Sequence, residues 1–299
     1  MSFKVFDVAP GITRIESILG PRPFSQYLLR GGERSLLVDT GTKDTPGEVL
    51  LPALDGLQPD FVVISHADVD HFGGNHAIRE AAPRAVICAH ALDTPWIESA
   101  ELIMRERYGW YEDFGIAYDD ETFAWLRNAM GPDVPVDLRL AGGEVFRLGP
   151  SLAVEILPLP GHSPGHIGVW DPASRSAIVV DAVLGGGLLD LEGTVIHPPP
   201  IVDVPGYEGA IRLLRSLEPA RLLTAHYDVI EGDAVGRFLD ESQAFVERAR
   251  EVVAAAPDLT LAELVARGDA ELGPFTSMPN ELGATLRGVL IESGREPRA

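Results

Sequence analysis

The first part of the chain alternates short apolar segments with glycine-rich turns. Three such segments, GITRIES, SQYLLRG and SLLVDTG, are broken by the turns Gly31-Gly32 and Gly41. Short runs of β-branched and apolar residues bounded by glycine are typical of strands, so we predict an antiparallel β start. From Pro46 to Leu57 the apolar spacing becomes helical, and the run FVVIS at 61–65 is short enough to be a buried strand.

The two spacings continue to alternate along the chain. We predict a helix at about 75–82, a strand at AVICAH, and a helical insertion or cap at about 94–135. Strands resume with EVFRL, SLAVEILPL, IGVWD and SAIVVDA, a helix covers about 207–217 before the strand RLLTAH, and the region at about 232–292 is helical. Groups of strands separated by helices favour an α/β (α+β) four-layer αββα sandwich, here as a single domain over 1–299.

Composition restricts the chemistry. With 299 residues and 45% hydrophobic composition, the chain can bury a full core. Its one cysteine, Cys88, excludes an intrachain disulfide framework and a cysteine-rich zinc site, so a metal would have to use histidines and carboxylates. A formal net charge of −21 without a basic run makes nucleic acid a poor partner.

The N-terminus lacks a basic region leading into an apolar one, and no stretch approaches the roughly 18 uninterrupted apolar residues that span a bilayer. We therefore expect a cytoplasmic protein that has no membrane partner and acts on a small molecule. A homodimer is left open.

The segment ISHADVDHFGGN places His66, Asp68, Asp70 and His71 within six positions after a predicted buried strand. Residues two apart in an extended loop point the same way, so His66 and Asp68 can converge on one ion while Asp70 and His71 turn toward a second. The glycine pair that follows allows a tight turn into the next helix.

Three further residues lie where predicted strands meet loops: His162 in PGHSPGH, Asp181 after IVV, and His226 after LLTA. They are separated from the first cluster and from one another by long intervals. A site built from all of them exists only in the folded chain.

Together these segments resemble the metallo-β-lactamase superfamily, whose signature is H-x-H-x-D-H followed by isolated His, Asp and His; the resemblance covers roughly residues 10–230. It implies that His66, Asp68 and His162 bind one metal ion. It further implies that Asp70, His71 and His226 bind a second, with Asp181 bridging the two. Asp39 in LVDTG matches the early strand-end motif, where the family's Asp supports the ligands.

The chain departs from the signature at Asp68, where the family has its second His. A carboxylate makes the first site harder and more negative, which shifts preference toward Mn²⁺ or Fe²⁺. We expect two divalent ions, with zinc first and manganese or iron as alternatives.

Such a site permits hydrolysis by a metal-bound hydroxide. Asp70 is the candidate to orient that hydroxide or to move its proton, and Tyr227 is a candidate hydrogen-bond donor to a developing oxyanion. The expected substrate has an ester or lactone bond, with a thioester or phosphodiester as the alternative. A non-haem diiron redox protein and a binding module disabled by Asp68 are the other hypotheses.

Several other residues have competing interpretations. GHSPG matches a serine-hydrolase elbow at Ser163, but Pro164 has no N–H for an oxyanion hole. Five aromatic residues of the insertion line a substrate pocket or simply pack: Trp96, Tyr108, Trp110, Tyr111 and Phe114. Arg105 or Arg107 is a candidate clamp for a substrate carboxylate. Histidines without ligand spacing, and one beside a glycine in PGHSPGH, are interpreted as structural: His76, His90, His197 and His166.

Overall fold

The computed structural model describes residues 2–299, so residue 1 of the predicted domain lies outside it. Its strands are β1 (Lys4–Ala9), β2 (Ile12–Leu19), β3 (Arg22–Arg30), β4 (Ser35–Val38), β5 (Phe61–Ile64), β6 (Val86–His90), β7 (Leu138–Leu140), β8 (Val145–Gly149), β9 (Leu152–Pro158), β10 (Ile167–Asp171), β11 (Ser176–Val180), β12 (Leu188–Leu189), β13 (Val195–His197), β14 (Arg221–Thr224) and β15 (Ile230–Glu231).

The α-helices are α1 (Leu51–Leu54), α2 (Val69–Phe72), α3 (Asn75–Ala81), α4 (Thr94–Ile97), α5 (Ala100–Ile103), α6 (Asp120–Asn128), α7 (Val204–Leu217), α8 (Asp233–Ala255), α9 (Leu261–Leu272) and α10 (Leu282–Glu292). Short π-helical turns cover Pro46–Leu50 and Met104–Tyr108, and 3₁₀ turns cover Gly109–Phe114 and Pro279–Glu281.

The strands form two mixed sheets and a short ribbon. The first sheet has the order β1-β2-β3-β4-β5-β6-β7, antiparallel up to β4 and parallel from β4 to β7. The second has the order β15-β14-β11-β10-β9-β8, with β11 and β14 as its parallel neighbours. Strands β12 and β13 pair as an antiparallel ribbon.

Three hydrophobic cores define four layers. Val63 of β5 and Ile178 of β11 belong to the core between the two sheets. The residue beside each points the other way, as alternation along a strand requires: Val62 packs in a core with α1–α6, and Val179 in a core with α7–α10. The predicted αββα sandwich is confirmed.

The apolar strands of the prediction are present, whereas several short or polar strands were missed. Strand β1 is mostly exposed at the edge of its sheet, so it carries little hydrophobic signal. The residues between β6 and β7 form α4, α5, the two turns after α5, and α6. Among residues 2–299, no helix combines the length and apolar character that crossing a membrane requires.

Candidate metal centre

The carboxyl ends of several strands meet at one edge of the sandwich. Strands β9 and β11 both run antiparallel to β10, and β14 runs parallel to β11, so these three strands end on the same side. His162, Asp181 and His226 follow their ends, while β5 of the other sheet leads into the segment His66–His71. The structure therefore brings together all seven residues that the sequence singled out as metal ligands.

Two of the residues at this edge have left-handed backbone conformations. Asp39, directly after β4, has φ 65°, and Val180, directly before Asp181, has φ 50°. A positive φ is rare for a β-branched residue, and the pairing of β11 with β14 shifts register at this point. Backbone strain of this kind persists where the surroundings over-determine it, which is common at functional sites. Here it lies directly beside Asp181, one of the predicted ligands.

Ligand atoms of these residues form three overlapping trios, each with its members within 4.8 Å of one another. The trios are His66, Asp68 and His162; Asp70, His71 and His226; and His66, His71 and Asp181. The first two coincide with the two ligand sets that the family resemblance implies. The third spans both sets, as a bridging Asp181 would.

Hydrogen bonds fix the tautomers of the four histidines. Each Nδ1 lies within 3.0 Å of an oxygen, and these oxygens belong to Ser65 for His66, Asp39 for His71, Pro200 for His162 and Pro23 for His226. A carbonyl or carboxylate oxygen must accept from an N–H, so Nδ1 carries a proton, and in the neutral ring Nε2 then presents a lone pair. The Ser65 hydroxyl donates to Asp39 Oδ2 at 2.8 Å, so it accepts from His66.

The converging atoms suit a cation. Nε2 of His66, Nε2 of His71 and Oδ1 of Asp181 are buried without a hydrogen-bond partner among the described residues. Lone pairs and carboxylates facing one another repel unless a positive charge lies between them. The donor set of imidazole and carboxylate therefore fits one or two divalent ions, with no cysteine needed.

The pKa shifts of the buried ligands also favour a bound cation. Burial would raise the pKa of Asp181, but His226 and His71 hold it well below its ordinary value. Burial would lower the pKa of His71, but Asp70, Asp39 and Asp181 raise it well above its ordinary value. Without a metal ion these carboxylates favour a second proton on His71, at Nε2, and a metal ion that binds there would displace it.

Asp68 joins the cluster to the insertion. Its Oδ2 faces His162 Nε2 at 3.0 Å and His66 Nε2 at 3.7 Å. Its Oδ1 accepts from the Tyr108 hydroxyl at 3.1 Å and lies 3.1 Å from Arg107 Nε. Oδ2 therefore faces the candidate metal site, where it also accepts from Arg107 Nη2 at 3.3 Å, and Oδ1 is held by the insertion. Burial would raise the pKa of Asp68, but Arg107 first and then the histidines hold it well below its ordinary value.

Arg107 is itself buried, with 4% of its side chain exposed. It lies 3.3 Å from Glu281, which also accepts hydrogen bonds from the hydroxyls of Tyr111 and Tyr118. Arg107 lines the pocket, but the carboxylates that it contacts in the structure belong to the protein, so its role as a substrate clamp stays a prediction. Arg105 is exposed and pairs with Glu106.

Asp93, which sequence reasoning missed, ties the two ligand-bearing loops together. Its carboxylate accepts from the amide of Ala67 at 3.0 Å, the amide of Gly165 at 2.6 Å and the hydroxyl of Ser163 at 2.5 Å. The Ser163 hydroxyl is therefore a structural donor, consistent with rejecting the nucleophile elbow. His166 is buried and stacks on His66, with ring centroids 4.7 Å apart.

The structure does not place Tyr227 where an oxyanion could form. Its hydroxyl donates to main-chain carbonyls, 2.7 Å from that of Leu184 and also close to that of Gly187, and its ring packs against Phe238. A phenol has one O–H to donate, and here that proton is committed to the backbone. The proposed oxyanion role of Tyr227 is therefore contradicted.

A pocket opens over the cluster and encloses about 470 Å³ of empty space, including its mouth. Of the insertion aromatics offered as pocket residues, Tyr108 lines it, whereas Trp110 stacks on Tyr111 and Trp96 binds exposed Glu106. Several other lining residues were not predicted from the sequence, among them Arg22, Trp125, Met278 and Glu281, and His197, predicted to be structural, lines the pocket as well.

Comparison with known proteins adds family information. A family model described as the metallo-beta-lactamase superfamily matches residues 19–226. Among curated proteins, the chain is 26% identical over 178 residues to an acyl-coenzyme A thioesterase, MBLAC2, of Gallus gallus, covering 55% of this chain and 59% of that protein. It is 29% identical over 141 residues to a hydroxyacylglutathione hydrolase of Anaeromyxobacter dehalogenans, covering 47% and 39%. The chain thus spans less than two thirds of either relative.

A probable metallo-hydrolase of Bacillus subtilis, YflN, is 26% identical over 209 residues, covering 64% of this chain and 74% of that protein. Among solved structures, a metallo-beta-lactamase family protein of Thermus thermophilus has a TM-score of 0.72 at 20% identity, covering 96% and 95%. A beta-lactamase domain protein of Burkholderia ambifaria has a TM-score of 0.72 at 20% identity, covering 97% and 88%. At this identity the structural likeness shows the fold alone.

Proposed function

Because this chain belongs to the metallo-β-lactamase superfamily, we propose that it is a metal-dependent hydrolase that cleaves an acyl bond of a small molecule. The bond is a carboxylic ester, a lactone or a thioester. The ligands proposed for the metal ions are the seven residues His66, Asp68, Asp70, His71, His162, Asp181 and His226.

One observation carries the proposal. All four histidines of the cluster are hydrogen-bonded through Nδ1, so their Nε2 atoms converge with three carboxylates. This is the arrangement in which a protein prepares histidines for a metal. It costs free energy in the absence of a cation, and a hydrogen-bonded core would not select it.

When bound, two divalent ions would polarise an acyl oxygen and lower the pKa of a water molecule to about 7. The chain's own residues position the reactants. Asp70 is partly exposed to the pocket, and its Oδ2 lies 3.8 Å from Nε2 of both His71 and His226. A carboxylate there can accept a proton from an attacking water. Arg107 and Tyr108 bind Oδ1 of Asp68, and its Oδ2 faces the two histidines of the first trio.

Arg107 also modifies the expectation for metal identity. The carboxylate of Asp68 adds a negative charge to the first trio, and the guanidinium of Arg107 offsets it. The trio therefore approaches the charge of one built from neutral histidines, which favours zinc. We propose two zinc ions, with manganese and iron as the alternatives that elemental analysis distinguishes.

An acyl bond is favoured over a phosphodiester by two findings. The curated relatives include two that are named for thioester hydrolysis. The pocket is compact, and the chain's charge of −21 disfavours a polyanionic substrate such as nucleic acid. These relatives favour a thioester substrate more strongly than the sequence did, relative to the ester or lactone that we predicted.

The test combines metal analysis with a substrate panel. Protein purified without chelators is analysed for metal per chain by elemental mass spectrometry, and phenyl esters, γ-lactones, acyl thioesters and phosphodiesters are assayed. We expect about two divalent ions per chain and hydrolysis of an acyl substrate. Asp70→Asn should lower kcat by about 100-fold or more, since it removes a proton acceptor. Glu80→Gln, at an exposed position on α3, is the matched control and should leave kcat unchanged.

Two results would overturn the proposal. Protein that neither contains nor accepts metal would remove the metalloenzyme assignment. Metal-loaded protein that cleaves only phosphodiesters would retain the metal site and reject the acyl substrate.

A further inference from the structure

Arg22 is a buried cation that lines the pocket without a carboxylate partner. It is the first residue of β3, is 8% exposed, and its Nε has no hydrogen-bond partner among the described residues. The other buried arginines at this end of the fold are paired: Arg14 lies 3.1 Å from Glu16, and Arg107 contacts Asp68 and Glu281. Arg22 forms no such ion pair within residues 2–299.

A second unpartnered donor lies beside it. His197 of β13 is 5% exposed, lines the same pocket, and has an Nδ1 with no hydrogen-bond partner among residues 2–299. Burial, and then the nearby charge of Arg22, hold the pKa of His197 well below its ordinary value. The neutral imidazole is therefore favoured at His197, and no hydrogen bond joins it to Arg22 among residues 2–299.

The two side chains lie next to the proposed reaction centre. Pro23, the residue after Arg22, accepts the hydrogen bond from Nδ1 of His226 at 3.0 Å, so β3 joins Arg22 to a proposed metal ligand through one peptide. Asp70, Asp181 and His226 line the same pocket. Other parts of its lining are apolar and include Leu184, Leu188 and Met278.

An unpaired buried guanidinium is costly, and the cost disappears when an anion enters. Four carboxylates surround the metal cluster, namely Asp39, Asp68, Asp70 and Asp181. Together with Glu281 they carry five negative charges, which two divalent ions and the guanidinium of Arg107 would balance. Arg22 then remains as the positive charge that the substrate must meet.

From this arrangement we propose that Arg22 and His197 form an anion subsite, which makes the substrate a small acyl compound carrying a carboxylate or phosphoryl group close to its scissile bond. The planar fork of the guanidinium binds two oxygens of such a group at once, and the imidazole adds one hydrogen bond. The apolar wall accepts the short carbon chain between the anion and the acyl carbon. This inference deepens the proposed function and rests on it for the position of the scissile bond.

The test compares three matched substrates: the phenyl monoester of glutaric acid, the phenyl ester of its neutral monoamide, and the phenyl ester of phosphonopropionic acid. For the metal-loaded wild type, we expect kcat/KM to be larger for one of the two anionic esters than for the neutral one. In Arg22→Gln, the ratio of anionic to neutral kcat/KM should fall by roughly 10- to 100-fold, as expected for a lost charged hydrogen-bond pair. The larger loss identifies the carboxylate or the phosphoryl group as the preferred anion.

Arg30→Gln is the matched control. It lies at the other end of β3, is exposed, and changes the net charge equally. The selectivity ratio should be unchanged in this variant. A wild type that cleaves the neutral ester as well as both anionic ones, or an Arg22→Gln protein that keeps the wild-type ratio, would overturn the anion subsite and leave the proposed function standing.

If no ester is cleaved, the proposed function fails, and binding then decides the subsite separately. Calorimetric titration with glutarate and with inorganic phosphate should give a Kd at least tenfold weaker for Arg22→Gln than for wild type and Arg30→Gln. Equal Kd values in the three proteins would refute the subsite. Arg22→Met should also raise the midpoint of urea unfolding, because it removes an unpaired buried charge; a merely structural arginine would lower it.

Discussion

Replacing Arg107 with methionine removes the cation between two buried carboxylates. In the native protein its Nε lies 3.1 Å from Asp68 Oδ1, and its Nη2 lies 3.3 Å from Glu281 Oε2. Methionine fills part of the space but neutralises neither carboxylate. Breaking a buried ion pair by removing one partner costs about 3–5 kcal/mol. Because the Asp68 side chain is 16% exposed, we expect a loss near the lower limit, about 3 kcal/mol in the free energy of unfolding.

The measurement is urea denaturation of chelator-treated protein, followed by far-UV circular dichroism. Removing metal beforehand separates the ion pair from any change in metal affinity. Wild type, Arg107→Met, Asp68→Asn and the double variant form a thermodynamic cycle. Since Arg107→Met should be less damaging when Asp68 is already neutral, we expect a coupling free energy of about 1–3 kcal/mol. The denaturant slope should be unchanged, which shows that the same surface is exposed on unfolding.

Arg105→Met is the control for this cycle. Arg105 is two residues away on the same turn, is 62% exposed and pairs with Glu106. An exposed pair of this kind contributes little, so its loss should cost less than about 1 kcal/mol. If the losses of unfolding free energy in Arg107→Met and Asp68→Asn add to within about 0.5 kcal/mol in the double variant, Arg107 acts through packing and not through the charge of Asp68. That result would refute the predicted coupling.

Three further predictions follow from other parts of the fold. Asp93→Asn places an NH₂ group against an N–H or hydroxyl donor, so it should lower the free energy of unfolding by about 1–3 kcal/mol. It should also reduce the metal that remains per chain after dialysis. If metal retention is unchanged, Asp93 does not position the ligand loops. Chelation of metal-loaded protein should lower Tm by about 4 °C or more for each ion held at 100 times its Kd, and calorimetry would contradict this by giving one Tm with and without chelator. Burial raises the pKa of Cys88 to about 12, so Ellman's reagent should label the thiol in urea but not in native protein at pH 8. Since the unfolded thiol ionises at a lower pH than the folded one, the contribution of Cys88 to stability is present below its unfolded pKa and should be lost as pH rises toward 12. If the thiol of the native protein reacts as fast as that of the unfolded protein, Cys88 is not protected by burial.

The sequence could predict the four layers and the ligand cluster because both depend on local patterns. Apolar runs such as Phe61–Ile64 identify central strands, and polar residues directly after such runs identify strand ends. Strand ends that share a direction lie at one edge of a sheet, which brings His162, Asp181 and His226 together, and the packing of the two sheets adds the segment after β5, including His66.

The partners of these ligands could not be predicted, because they depend on distant segments with no shared pattern. Arg107 and Glu281 are 174 positions apart, and neither stands in a motif. Tyr227 shows the opposite error, since its sequence neighbour His226 faces the cluster while its own hydroxyl reaches the backbone of Leu184. His197 was set aside for lack of ligand spacing, which is the wrong criterion for a residue that lines a pocket.

The position of Arg107 between Asp68 and Glu281 also has a consequence for descent. A relative with histidine in place of Asp68 would have a neutral ring against the guanidinium, and a relative with Asp68 but no arginine would have an uncompensated carboxylate. Either intermediate is poorly tolerated, so the three residues should be inherited as a unit. Glu281 lies outside residues 19–226, the part of the chain that the superfamily shares. We therefore expect the residue at position 68 to vary among relatives together with the insertion and the C-terminal region that hold Arg107 and Glu281.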